Sequence, residues 1–226
     1  MIPVGDELPS RRVPLVTWGL IAVNVLVFFG ELLLGPDLDR FFMMWGAVPA
    51  FITNPDRYPW APLTLVTSMF LHGGWMHLIG NMLYLWIFGD NVEDALGWLG
   101  YLLFYLAAGV VAGLAQVMVA PSSTVPGVGA SGAIAGVLAV YLVLYPTAPV
   151  RVMIPGFYMV RIVRLPALVV LGFWFVIQLF NGVLSLGAVT AATGGVAWFA
   201  HIGGFLAGLV VGLGARAFGA RRTYWW

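Results

Sequence analysis

Ser131 stands in the run Gly127-Val128-Gly129-Ala130-Ser131-Gly132, and His201 in Ala200-His201-Ile202-Gly203-Gly204. A hydroxyl within reach of an imidazole is the smallest set that supports acyl transfer, because the ring can take the proton as the oxygen attacks a carbonyl. Two further polar side chains, His77 and Asn81, lie four residues apart in an apolar stretch, so on a helix they share one face and can donate hydrogen bonds toward one point. Each of these residues also has a plainer use. Runs of small residues let helices pack closely, and a lone histidine or asparagine can tie two helices together.

The elements that must position them are membrane helices. Of 226 residues, 62% are hydrophobic and 8% charged, against roughly 25% charged in an ordinary soluble domain. A net charge of +1 excludes a global field for nucleic acid, and the lack of cysteine excludes disulfides, thiolate catalysis and cysteine metal sites. Six apolar segments are predicted in one domain spanning residues 1–226, at about 14–34, 69–88, 98–119, 131–145, 165–186 and 196–218. The run from Val13 to Leu34 behind Arg11 and Arg12 exceeds a secretory signal core and is expected to stay as a membrane helix. With a cytoplasmic N-terminus, Arg11, Arg12, Arg151, Arg161, Arg164, Arg216, Arg221 and Arg222 fall inside, and only Arg40 and Arg57 outside. The C-terminus is then cytoplasmic too, with Tyr224-Trp225-Trp226 as an interfacial anchor. The connection from Gly35 to about Ser68 mixes Phe41, Phe42, Trp45 and Trp60 with Asp37, Asp39, Arg40 and Asp56. That blend suits a segment lying in the outer interface.

The segment from Ser131 to Tyr145 gives only about 22 Å of helix, short of the ~30 Å hydrocarbon core. Ser131 is therefore expected at a helix N-terminus below the membrane surface. Irregular backbone at that depth survives where protein covers it or where it lines a watery cavity. Gly204, Gly208 and Gly212 share a face with His201, while Gly132 and Gly136 follow Ser131, so two small-residue stripes can bring the serine and the histidine together. No acid follows Asp94, and none is placed to orient His201. The reading is a Ser-His dyad without a third member. His72 and His77 are five apart with glycines between them and no glutamate beside the first, which does not fit a zinc-protease helix. No metal or cofactor is expected.

Taken together and in this order, Gly129-Ala130-Ser131-Gly132, His77 with Asn81, and Ala200-His201-Ile202-Gly203-Gly204 resemble the rhomboid intramembrane serine proteases. The resemblance covers all six segments. It implies an all-α, six-transmembrane-helix bundle with a long interfacial first loop, and hydrolysis of peptide bonds in or near transmembrane segments of protein substrates. It further implies that Ser131 is the nucleophile and His201 the base, that His77, Asn81 and the Ser131 N–H are oxyanion donors, and that Gly129 is the supporting glycine. A multi-pass protein of a prokaryotic cell membrane is the expected setting, with lipid and transmembrane substrates as partners. Two positions depart from the family: Leu63-Thr64 stands where many members have Trp-Arg, and Ala135 where several have an aromatic residue that stacks on the histidine. A relative of the same fold that binds membrane segments without cutting them is the alternative.

Overall fold

The computed structural model describes residues 2–156, 159–186 and 197–219. Arg221, Arg222 and Tyr224-Trp225-Trp226 lie outside the described residues, as does the expected start of the last segment at Val196. The protein is mostly helical and integral to the membrane. Among the described residues, four helices are long and apolar enough to cross a bilayer: α1 (Leu15–Leu33), α6 (Trp98–Val119), α8 (Ala167–Leu186) and α9 (Trp198–Ala217). Between α1 and α6 the chain forms three short helices, α2 (Leu38–Trp45), α3 (Pro49–Ile52) and α4 (Thr64–Thr67), and then the 22-residue α5 (Trp75–Leu96). The 14-residue α7 (Ser131–Leu144) follows α6 and starts where the sequence places it.

α5 departs from its predicted bounds at both ends. It begins at Trp75 rather than near residue 69, because Ser68–Phe70 closes as a 3-10 turn and Gly73-Gly74 interrupt the chain. It runs to Leu96 rather than Phe88, through Asp90, Glu93 and Asp94, and tertiary partners meet the charges of Glu93 and Asp94. The Glu93 carboxylate accepts hydrogen bonds from the N–H groups of Val16 and Thr17 at 3.0 and 2.8 Å, and from the Thr17 hydroxyl at 2.8 Å. The first turn of α1 has N–H groups without helical partners and the positive end of a helix dipole, so a carboxylate there satisfies both. Gly97, at φ 75°, then reverses the chain directly into α6.

α7 is the central helix, buried from Gly132 to Tyr141. Its small face meets that of α9 with the backbones in direct contact. A Cβ at Gly204 would fall on the carbonyl of Gly132, and one at Gly208 on that of Gly136. Ala108 and Ala112 of α6 approach the same glycines from another side, so three helices converge where side-chain bulk is least.

The expectation of an all-α chain needs a correction. β1 (Ile2–Asp6), β2 (Pro149–Pro155) and β3 (Val160–Pro166) form an antiparallel sheet in the order β1-β2-β3. β2 pairs with β3 in register from Pro149 opposite Pro166 to Pro155 opposite Val160. Val150 and Val152 are fully buried on β2 while Arg151 between them is exposed, which is strand alternation. The same valine-arginine alternation read from sequence only as a charged connection between two helices.

Candidate active site

Ser131 opens α7 and His201 lies in the first turn of α9, so the α7–α9 contact sets their separation. Ser131 Oγ and His201 Nε2 are 2.7 Å apart. The other ring nitrogen, Nδ1, lies 2.8 Å from Oε1 of Gln178 on α8. Trp174, one turn before Gln178, has its ring centroid 5.8 Å from that of His201, and Trp198 presents its edge at 6.1 Å with the planes at 90°. Two tryptophans from α8 and α9 thus flank the ring that Ala135 cannot stack on.

His77 and Asn81 project from α5 toward the same place. The Gly73 N–H donates to His77 Nδ1 over a long 3.4 Å. Because a backbone N–H can only donate, Nδ1 must accept, and the proton of the neutral ring sits on Nε2. That Nε2 faces Gly129, whose φ of 124° suits glycine and where a Cβ would press on His77 and come within 3.7 Å of Asn81 Nδ2. Asn81 Nδ2 is buried with no partner among the described residues. The Ser131 N–H belongs to the first turn of α7, whose donors have no helical acceptors. Donors from His77, Asn81 and Ser131 therefore border one cavity of about 690 Å³, into which Ser131, Gln178, Trp174 and His201 also open.

The segment before Ser131 is clamped by the first loop. Ala47 and Gly127 exchange two backbone hydrogen bonds of 2.9 and 2.8 Å, and the Gly129 N–H donates to the Ser68 carbonyl at 2.9 Å. Thr64 caps its own turn through Oγ1 to the Ala61 carbonyl at 2.6 Å, while Leu63 is exposed. This loop is held by backbone pairing rather than through Leu63-Thr64.

All the site residues expected from sequence border one cavity or, for Gly129, lie against it. The remaining histidine, His72, is buried beside His77 with ring centroids 5.1 Å apart, and its backbone N–H donates to the Glu31 carboxylate. Of the large aromatic residues on α8, Trp174 turns to the cavity, Phe175 stacks on Phe205 at 3.9 Å, and Phe173 and Phe180 are exposed. Gln178 escaped the sequence reading. Its one signal is that it is one of two amides, with Asn181, within a largely apolar membrane segment.

A Rhomboid domain model matches residues 59–218. Over 210 residues, 92% of this chain, it is 32% identical to rhomboid protease GluP of Bacillus subtilis, covering 37% of that protein. It is 33% identical over 135 residues to the chloroplastic rhomboid-like protein 11 of Arabidopsis thaliana, which is 60% of this chain and 44% of the relative. Over 124 residues, 54% of this chain, it is 36% identical to the human mitochondrial presenilin-associated rhomboid-like protein, covering 30% of that protein. The matches thus span less than half the length of each of these relatives.

Proposed function

The chain belongs to the rhomboid family, and from that premise we propose that it is an intramembrane serine protease acting on transmembrane segments of other membrane proteins. The observation that carries this reading is the 2.7 Å pairing of Ser131 Oγ with His201 Nε2 at the edge of a cavity bordered by unused donors. Ser131 attacks the scissile carbonyl while His201 Nε2 takes its proton. The oxyanion forms against the Ser131 N–H, His77 Nε2–H and Asn81 Nδ2–H, with the N-terminal dipole of α7 adding favourable potential. His201 then returns the proton to the leaving amine, and water, activated by the same ring, hydrolyses the acyl ester.

In this reading α5 and α7 complete six spans with the four long helices, and the loop from 34 to 74 lies in the outer interface. The arginine distribution supports a cytoplasmic side for both termini, and the proposed setting is a prokaryotic cell membrane. A substrate helix enters between α5 and α8 and unwinds at weak helix formers such as glycine to expose its carbonyl.

The test is cleavage of a generic transmembrane substrate by the purified protein, alongside labelling by a serine-directed fluorophosphonate. Ser131→Ala and His201→Ala should each abolish turnover, with the double variant little worse, because the two act as a unit. The wild type should be labelled at Ser131. Turnover that survives Ser131→Ala would remove Ser131 as the nucleophile, whereas a folded wild type with neither turnover nor labelling would favour a binding protein of the same fold.

A further inference from the structure

We propose that Gln178 is a positioning residue that holds His201 in the one tautomer able to accept the serine proton, an inference resting on the protease reading above. Gln178 is 6% exposed, and its two amide atoms have different neighbours. Nε2 lies 3.3 Å from the backbone carbonyl of Trp174, and Oε1 lies 2.8 Å from His201 Nδ1. A carbonyl can only accept, so the amide nitrogen must face Trp174 and the amide oxygen must face the ring. An amide oxygen also only accepts, so His201 Nδ1 must carry a proton. In the neutral ring Nε2 is then bare, and it is Nε2 that faces Ser131 Oγ at 2.7 Å.

The chain of constraint runs from the backbone of α8 through one amide to the reacting nitrogen. An unanchored neutral imidazole favours the proton on Nε2, the arrangement that cannot accept from Ser131. The serine proton passes to Nε2 during attack, and the resulting imidazolium still donates Nδ1–H to Gln178, so the amide serves both states of the ring. A carboxylate in a triad does the same with a full charge. Here a neutral amide does so within a membrane helix, where a carboxylate would be costly to bury. Trp174 and Trp198 limit rotation of the ring about its bond to the backbone.

Two variants and one spectrum test the assignment. Gln178→Leu keeps bulk but removes the acceptor; kcat should fall roughly tenfold, the scale of one lost hydrogen bond, while KM stays within twofold. Gln178→Glu, in its uncharged acid form, offers a carbonyl oxygen to Nδ1 and an O–H to the Trp174 carbonyl, so it should recover most of that loss. Nuclear magnetic resonance of the full chain with isotope-labelled histidine reads the tautomer directly, with His201→Ala identifying its signals among the three histidines. The expected wild-type spectrum has Nδ1 protonated and Nε2 bare, a state kept in Gln178→Glu and lost in Gln178→Leu. A wild-type ring protonated on Nε2, a folded Gln178→Leu protein with unchanged kcat, or a Glu variant as slow as the Leu variant overturns the proposal. The spectrum needs no turnover, so it separates this outcome from failure of the protease reading, which shows as a wild type that does not cut or as cleavage independent of Ser131.

Discussion

At the scale of single residues, the division of labour proposed for the histidines follows from what each ring faces. His77 receives a backbone N–H on Nδ1 and so offers Nε2–H as a donor, whereas His201 meets an amide oxygen on Nδ1 and so offers Nε2 as an acceptor. The same side chain is thereby set up for opposite work at two ends of one cavity. Removing one oxyanion donor typically costs about 2.7–4 kcal/mol. His77→Ala and Asn81→Ala should each lower kcat by roughly a hundred- to thousand-fold. Residual activity should remain above that of Ser131→Ala, since the other donors still bind the charge. Melting temperature in detergent, measured beside kcat, separates this from a packing role. Well-folded variants that cut at the wild-type rate would remove both residues from the oxyanion site.

At the scale of elements, the distance between Ser131 and His201 is set by how closely α7 and α9 approach. Gly136 and Gly208 are in backbone contact two turns below the site. Gly208→Val must push the helices apart and should cost about 1–3 kcal/mol of stability, the usual scale of overpacking. Fluorophosphonate labelling of Ser131 should fall in the fraction that stays folded, because the ring is carried away from the hydroxyl. Gly214→Ala on the same helix meets nothing within 4 Å and should leave labelling unchanged. Equal labelling in the two folded variants would detach the helix contact from the site. The charged end of α5 teaches the complementary lesson: Glu93 and Asp94 belong to the helix because the start of α1 and Arg12 lie against it.

At the scale of the whole molecule, the helix that carries Ser131 is tied at its other end to the sheet. The Tyr141 hydroxyl donates to Asp6 Oδ2 of β1 at 2.6 Å. Burial pushes the Asp6 carboxyl up from its ordinary 3.8 to about 7, reinforced by Asp90 and opposed by Tyr141 and Arg151. Between those values the folded chain holds a proton that the unfolded chain has released, so this group's contribution to stability falls as pH rises through the window. Comparing melting at pH values near about 5 and about 8, Asp6→Asn should flatten the slope relative to wild type. Identical slopes would mean that β1 does not bury this carboxyl. Water must also reach the other end of α7. Ser131→Cys in this cysteine-free chain should react with a small water-soluble thiol reagent added from outside, and complete protection would mean a dry serine.

Composition alone placed this chain in a membrane. The glycine stripes around Ser131 and His201 singled out the two helices that meet, because small residues at helical spacing report on a face locally and a close backbone approach needs nothing else. The four-residue spacing of His77 and Asn81 was legible for the same reason. Three features depended on partners far along the chain. Gln178 lies on a different helix from His201, and its amide faces the ring only through the angle at which α8 packs on α9. The charged extension of α5 is stabilised by an α1 terminus more than seventy residues away. The arginine-bearing strands β2 and β3 become a sheet with β1 as its third strand, whose residue Ile2 pairs with Met153. Local periodicity carries no record of such contacts, since hydrogen-bond partners are chosen by packing geometry and not by spacing.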